Sequence, residues 1–372
     1  MVAPLRLCPG GRAPSLAIPD WLASADPADP TAPRLVLAES AGPNAADLFA
    51  ATALAAEDAG IRPVVAIGDD RRDPDAARAV AHEAAAVAPD AVIGHFGSRT
   101  AMAAGEVYGN AGIAFLAPGS SADDLCGPDR PTTRQIFGRD AEQRAVLEAA
   151  ARSAGPAILI LGERDNYGAG LARDLSGAVA GDPAVRTATV RILDRYGAGG
   201  LPRDEAGPGA APVFLLGSQD FATAVVDSGR LPRAGVLVFS DDSHGAPVVE
   251  RPDIAPRAAT VFLDRPGTRL VDRAASDIRE RAAARLGRAP GPYLETTYLA
   301  VRAVLDAWSP ADGRARRRVL DTIDAAVWET PYGRLRLDAQ GRLAGHRWCL
   351  WHRGRAVEPA AVAAAGTVSA GP

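Results

Sequence analysis

The chain has 372 residues, enough for two domains that each bury a core of their own, and 47% hydrophobic with 23% charged residues is ordinary globular composition. A net charge of −4 gives no electrostatic reason to expect nucleic acid or an anionic membrane surface as partner. All 41 cationic side chains are arginine, so Schiff-base chemistry and the phosphate-binding lysine of a P-loop are both excluded.

Residues 1–33 are rich in proline, alanine and aspartate and read as an N-terminal extension. Leu5-Arg6-Leu7-Cys8 faintly resembles a lipoprotein cleavage box, but no apolar segment precedes it, and no run approaches the ~18 apolar residues of a membrane span. The expectation is a chain without membrane insertion, either cytoplasmic or with its true start further upstream. Cys8, Cys126 and Cys349 are too widely spaced for a disulfide framework or a CxxC site.

From Arg34 a regular alternation begins. RLVLAES (34–40), PVVAIGDD (63–70), AVIGHF (91–96) and IAFLAPG (113–119) read as buried parallel strands, separated by alanine-rich helices at 45–59, 73–87 and 100–111. After RQIFGRD (134–140) and a helix at 141–154 the series restarts. It runs through AILILGE (157–163), TATVRIL (187–193), PVFLLGS (212–218), VLVFSDD (236–242) and TVFLDRP (260–266). Long helices are expected at 268–286, 293–308 and 314–327, and then GRLRLDAQGRL and HRWCLWHRGR as antiparallel strands about an Asp-Ala-Gln-Gly turn. Two successive series of this kind predict two α/β lobes, each a doubly wound parallel sheet. Ligands of such sheets bind beyond the carboxyl ends of the strands, which selects GHFGSRT, LAPGSS, GERDNYG, GSQDF and SDDSHG.

Ser98 and the trio Gly119-Ser120-Ser121 each follow a strand and are expected to precede a helix. Such serines commonly cap helices, and the free N–H groups behind them attract an anion such as a carboxylate. Neither loop shows the G-x-S-x-G elbow of a serine nucleophile. Asp241 and Asp242 end a strand, where one carboxylate facing the ligand would pair with an ammonium group while the other is solvated or caps; the sequence leaves open which is which. Tyr167 offers a stacking face and a hydroxyl on a loop, or simply packs. His346 and His352 would lie about 20 Å apart on a strand with Cys349 facing away, so a zinc site is not expected there. With no dinucleotide fingerprint, H-E-x-x-H or kinase-type motif in view, no cofactor, metal or catalytic residue is expected.

The stretch DAVIGHFGSRTAMAAGEVYGNAGIAFLAPGSSADDL resembles the branched-chain amino-acid-binding proteins of ABC importers, the type I periplasmic-binding fold. So do RDNYGAGLARDL, GPYLETTYLAVRAVLDA and GRLRLDAQGRL, in the same order. The resemblance implies two lobes joined by three crossover strands: 34–137 with 264–331, and 138–263 with 332–357, followed by a tail over 358–372. It further implies that Ser98, Gly119 and Ser121, with Ser120 a candidate in the same loop, bind the carboxylate and ammonium of an amino acid, and that Tyr167 and Asp241 or Asp242 meet it from the second lobe. The resemblance likewise implies a further contact near Gln219 and an aromatic wall at Tyr293. Two departures bear on specificity. The loop SAGPNAAD is shorter than the family pattern, and Arg99 beside the site favours an acidic or larger ligand. The expected function is a non-catalytic solute-binding protein for an amino acid or small amide, with an ABC permease as partner. The alternatives are a cytoplasmic ligand sensor resembling amidase regulators, with a regulator protein as its partner, and a hydrolase using Ser98 or Ser121.

Overall fold

A computed structural model describes residues 4–8, 16–196, 211–232, 235–264, 269–308, 316–330 and 333–360. Residues 265–266, 314–315, 331–332 and the tail from 361 onward, all within expected segments, lie outside the described residues. In chain order the first series is β1 (Leu5–Arg6), β2 (Arg34–Ala38), α1 (Pro43–Ala59), β3 (Val64–Gly68), α2 (Pro74–Val87), β4 (Ala91–Gly94), α3 (Ser98–Ala111), β5 (Ala114–Ala117) and β6 (Thr133–Gln135). The second comprises α4 (Asp140–Ala154), β7 (Ala157–Glu163), α5 (Tyr167–Val179), β8 (Thr187–Leu193), β9 (Val213–Leu216), α6 (Gln219–Asp227), β10 (Leu237–Phe239) and β11 (Ala258–Leu263). There follow α7 (Arg269–Leu286), α8 (Leu294–Ala307), α9 (Arg316–Ala325), β12 (Val327–Thr330), β13 (Gly333–Leu337), β14 (Leu343–Ala344), β15 (Trp348–His352) and β16 (Arg355–Val357).

These elements form two compact units, residues 1–139 with 265–346 and residues 140–264 with 347–372, so the chain passes between units three times. The first holds a six-stranded sheet ordered β1-β3-β2-β4-β5-β6, parallel throughout. In the second the order is β16-β15-β11-β10-β9-β7-β8, with β7 to β11 parallel and β15 and β16 antiparallel at one edge. Counted from β2 and from β7, both series therefore wind the same way: the first strand is interior, the second lies outside it, and the third to fifth extend the other side.

The strand sequences explain the burial on both faces. Ile158 and Ile160 of β7 and Phe214 and Leu216 of β9 join one core cluster with α4 and α5, while Leu159, Leu161, Val213 and Leu215 join another with α6. Period-two alternation of side chains sends a continuous apolar run to both sides of the sheet. In the first unit, Val36, Val92 and Phe115 pack under the alanine-rich faces of α2 and α3. The small side chains Ala50 and Ala51 let α1 lie against Ile278 and Ala282 of α7 and Leu294 of α8.

Three sequence expectations are corrected. The N-terminal segment is not a free extension: β1 pairs in parallel with β3, Leu7, Leu16 and Leu22 are buried, and the Ser24 hydroxyl accepts a bond from Val65 N–H (3.0 Å). It covers an edge strand whose backbone groups would otherwise stand open. Residues 332–346, assigned above to the second lobe, belong to the first unit, because β13 pairs with β12 and β14 rather than with the second sheet. Only HRWCLWHRGR joins the second sheet, through β15 on β11. Finally, no helix follows β5; the chain turns through residues 121–132 directly to β6.

At the end of β4, Gly94 adopts φ +137°, and a Cβ there would come within 2.0 Å of the Ala38 carbonyl oxygen. That oxygen already accepts the His95 N–H, so the close approach of β2 and β4 requires a residue without a side chain. Gly94→Ala should therefore cost more than about 2 kcal/mol in urea denaturation, through strain and a main-chain clash. Gly177→Ala, in α5 with open space around it, should instead stabilise by up to about 1 kcal/mol.

Candidate functional sites at the two sheet edges

Each unit carries its own cluster of candidate residues where strands end. In the first, α3 starts at Ser98, with Gly97 at the capping position and no side-chain cap on the first turn. Ser98 is therefore not the N-cap; its hydroxyl accepts a bond from that of Ser120 (3.3 Å), joining the loops after β4 and β5. The buried Gln135 amide holds the second loop from below, donating to the carbonyls of Ser120 (3.0 Å) and Ala122 (3.1 Å). Thr296 of α8 donates to Pro118 (2.7 Å). Since residues 119–121 precede no helix, the helix-dipole argument applies to Ser98 alone. Gly119 lies against Phe96, whose ring carbon would be 2.9 Å from an added Cβ. Tyr293 is only 4% exposed and packs edge-on against Phe96 and Phe137, with centroids 5.4 and 5.2 Å apart. Much of the expected aromatic wall is thus spent on internal packing.

In the second unit Asp241–Ser243 form a 3₁₀ turn after β10, so the aspartates do not alternate as on a strand. Asp241 is buried, whereas Asp242 is half-buried and its Oδ2 accepts the Gln219 N–H at the first turn of α6 (3.1 Å). A carboxylate has two oxygens and several lone pairs, so accepting that bond does not exhaust it. The Tyr167 hydroxyl donates to the Gly217 carbonyl (3.1 Å) and shares a hydrogen bond with the Ser240 hydroxyl (2.8 Å). Burial first, and then the negative fields of Asp241 and Asp242, push the Tyr167 phenol well above its ordinary range. Tyr167, Gln219, Asp241 and Asp242 are thereby brought together in one unit; Ser98, Gly119, Ser120, Ser121 and Tyr293 belong to the other.

The arrangement around Ser98 does not prime a nucleophile. His95, three residues before it, is fully buried with both ring nitrogens committed: Nδ1 to Asp70 (2.9 Å) and Nε2 to the Tyr108 hydroxyl (3.0 Å). His95 holds φ +48°, a left-handed conformation that costs a non-glycine residue of order 1 kcal/mol. The two ring bonds offset that cost and set the path of the loop into Ser98. Among the described residues no group of three histidine, cysteine, aspartate or glutamate side chains forms a metal cluster, and no helix is long and apolar enough to cross a membrane.

No family model matches the chain. The Leucine-specific-binding protein of Salmonella typhimurium is 25% identical over 303 residues, covering 76% of this chain and 78% of that protein. Among solved structures, an ABC transporter substrate-binding protein from Desulfitobacterium hafniense in complex with Leu superposes with a TM-score of 0.66 at 20% identity, covering 87% of this chain and 99% of that one. A branched-chain amino acid transporter substrate-binding protein of Streptococcus pneumoniae in complex with isoleucine gives 0.71 at 14% identity, covering 87% and 97%. A solute-binding protein from R. palustris in complex with benzoate gives 0.69 at 17%, covering 88% and 95%. This is the type I periplasmic-binding-protein fold. The resemblance to the branched-chain amino-acid-binding proteins read from the sequence holds in both the curated relative and the fold.

Within that fold two residues beneath the candidate loops escaped the sequence reading. Glu39, buried just after β2, accepts the Phe96 N–H (2.8 Å) and the Ser40 hydroxyl (3.1 Å). Glu163, buried at the end of β7, accepts the Ser218 N–H (2.6 Å), the Asn166 side-chain amide (2.6 Å) and the Arg195 guanidinium (2.7 Å). Both close the first strand of their series and both hold the loop after the adjacent strand. The signal was present in the runs RLVLAES and AILILGE, each an apolar strand ending in glutamate, had the two series been laid over one another.

Their charge states diverge. Burial raises Glu39 well above its ordinary 4.5, the neighbouring Asp70 raises it further, and the Phe96 amide, Arg72 and Ser40 offset only part of this. Burial also acts to raise Glu163, but the Ser218 amide, Arg195 and Asn166 outweigh it and hold the carboxylate below its ordinary range. Folded Glu39 thus retains a proton that the unfolded chain gives up. Its contribution to stability is complete below the unfolded value and is lost as pH rises through the folded one. Glu39→Gln keeps an acceptor for Phe96 and carries no proton to lose. The melting temperature of the wild type should therefore fall more steeply above about pH 5 than that of the variant, as followed by thermal denaturation across pH.

Proposed function

We propose that the protein is a non-catalytic solute-binding protein of ABC-transporter type that takes an amino acid, with an ABC permease as its partner. Each unit carries its own set of candidate ligand contacts. The first offers the Ser98 hydroxyl, held by that of the buried Ser120, and the uncapped N–H groups at the start of α3 to a carboxylate. The second offers the phenol of Tyr167 and the carboxylate of Asp242 to an ammonium group. The observation that carries this reading is the 3₁₀ turn, which leaves Asp242 half-exposed beside Tyr167 while Asp241 is turned inward. The curated relative binds leucine by name, and structural neighbours were solved with leucine, isoleucine and benzoate, so a carboxylate is common to their ligands.

Thermal denaturation against a panel of amino acids, amides, urea and small aromatic acids tests this. A ligand at a hundred times its dissociation constant should add about 2.7 kcal/mol of stability. Asp242→Asn should weaken an amino acid by roughly tenfold or more while leaving its deaminated analogue nearly unchanged. Ser98→Ala should weaken both. Equal losses for the two ligands in Asp242→Asn would remove the ammonium assignment, and hydrolysis of an ester or amide that Ser98→Ala abolishes would replace binding with catalysis.

A further inference from the structure

The geometry points to Glu163 as a positioning residue for ligand binding, one buried carboxylate that fixes two ligand-contacting loops at once; this rests on the binding function proposed above. Glu163 is 1% exposed and cannot touch a ligand itself. Its Oε2 accepts from both Ser218 N–H and Asn166 Nδ2, and its Oε1 from Arg195 Nε. Asn166 is the N-cap of α5, its Oδ1 accepting the N–H of Tyr167 (2.8 Å). Ser218 is the N-cap of α6, its hydroxyl accepting the N–H of Phe221 (3.3 Å), and the next residue, Gln219, donates its N–H to Asp242. One side chain therefore ties the helix start that carries Tyr167 to the helix start that meets Asp242.

Backbone geometry enforces the pairing. Gly217 adopts φ +155°, and a Cβ there would sit 2.6 Å from the Cβ of Glu163. The chain bends closely around the carboxylate, which presents Ser218 N–H to it. Three donors converge on two oxygens, and all three require an acceptor. Glutamine offers one oxygen and an NH2 group, so in either orientation a donor faces a donor. The neutral isostere thus breaks the tie while preserving volume. Arg195 at the same carboxylate supplies the compensating charge that keeps the group ionised in a buried place.

The test is Glu163→Gln, read in two ways on the full chain. Hydrogen–deuterium exchange reports the tie without any ligand: residues 164–168 and 217–221 should exchange faster in the variant, with β8 and β11 unchanged. Calorimetric titration with L-leucine and with 4-methylpentanoate reports its consequence. Leucine affinity should fall about tenfold and the preference for leucine over its deaminated analogue should shrink, because Tyr167 and Asp242 lose their shared alignment. A merely structural role would lower the melting temperature and leave that preference intact. Asn166→Ser retains a good helix cap but severs one arm, and it should speed exchange at 164–168 and not at Ser218; it serves should Glu163→Gln fail to fold. Unchanged exchange in either loop, or, where the wild type binds leucine, an unchanged preference in Glu163→Gln, overturns the assignment. If the wild type binds neither probe, the amino-acid reading falls, and the exchange result alone decides whether Glu163 fixes the loops.

Discussion

A carboxyl group buried at the end of an interior parallel strand, accepting the main-chain amide of the loop after the adjacent strand, is the interaction on which both clusters of candidate residues depend. Parallel strands leave their last amides and carbonyls pointing past the sheet edge, and each buried one must be satisfied. Glu39 meets this need for Phe96 in the first unit and Glu163 for Ser218 in the second. The loop held in each case is the one that begins a helix bearing candidate ligand contacts, Ser98 on α3 and Gln219 on α6.

The same device sits in two electrostatic settings. Glu163 has a cation, Arg195, and three donors in all, and remains an anion. Glu39 lies near Asp70, and burial together with that repulsion favours its acid form. Asp70 in turn is engaged by His95, which passes the contact to Tyr108. The first unit therefore keeps its loop with an acid whose protonation follows pH, and the second with an ion pair. The His95 ring, three residues before Ser98, has both nitrogens committed, and the carboxyls at the two strand ends accept loop amides, so the chemistry available at both edges is hydrogen bonding and charge pairing with a small polar molecule.

Much of this was legible in the residues. Apolar runs of β-branched and leucine residues alternating with alanine-rich helices located the parallel strands of both sheets along the chain, because a strand buried on both faces has no polar alternate positions. The segments at the strand ends were found for the same reason. Less legible was the path of the chain beyond β5: the serines at 120 and 121 read as a helix start, yet the chain turns instead, and Gln135 from β6 supports the loop that a helix would have capped. The N-terminal residues read as an appendage since prolines and aspartates hide a two-residue strand, and only the open edge of β3 reveals why that strand exists.

Composition and periodicity alone determined that this chain forms two doubly wound α/β series, that its loops at the strand ends carry serine, tyrosine and aspartate, and that lysine chemistry plays no part. These are local or statistical properties, set by which residues can lie on a buried strand or start a helix. Tertiary structure alone decided which aspartate turns inward, which ring of the expected wall is consumed in packing, and which glutamate stays charged. Such outcomes depend on donors brought from residues 23 to 57 positions away in the chain, as with Gln219 on Asp242 and Phe96 on Glu39, and no local pattern encodes them.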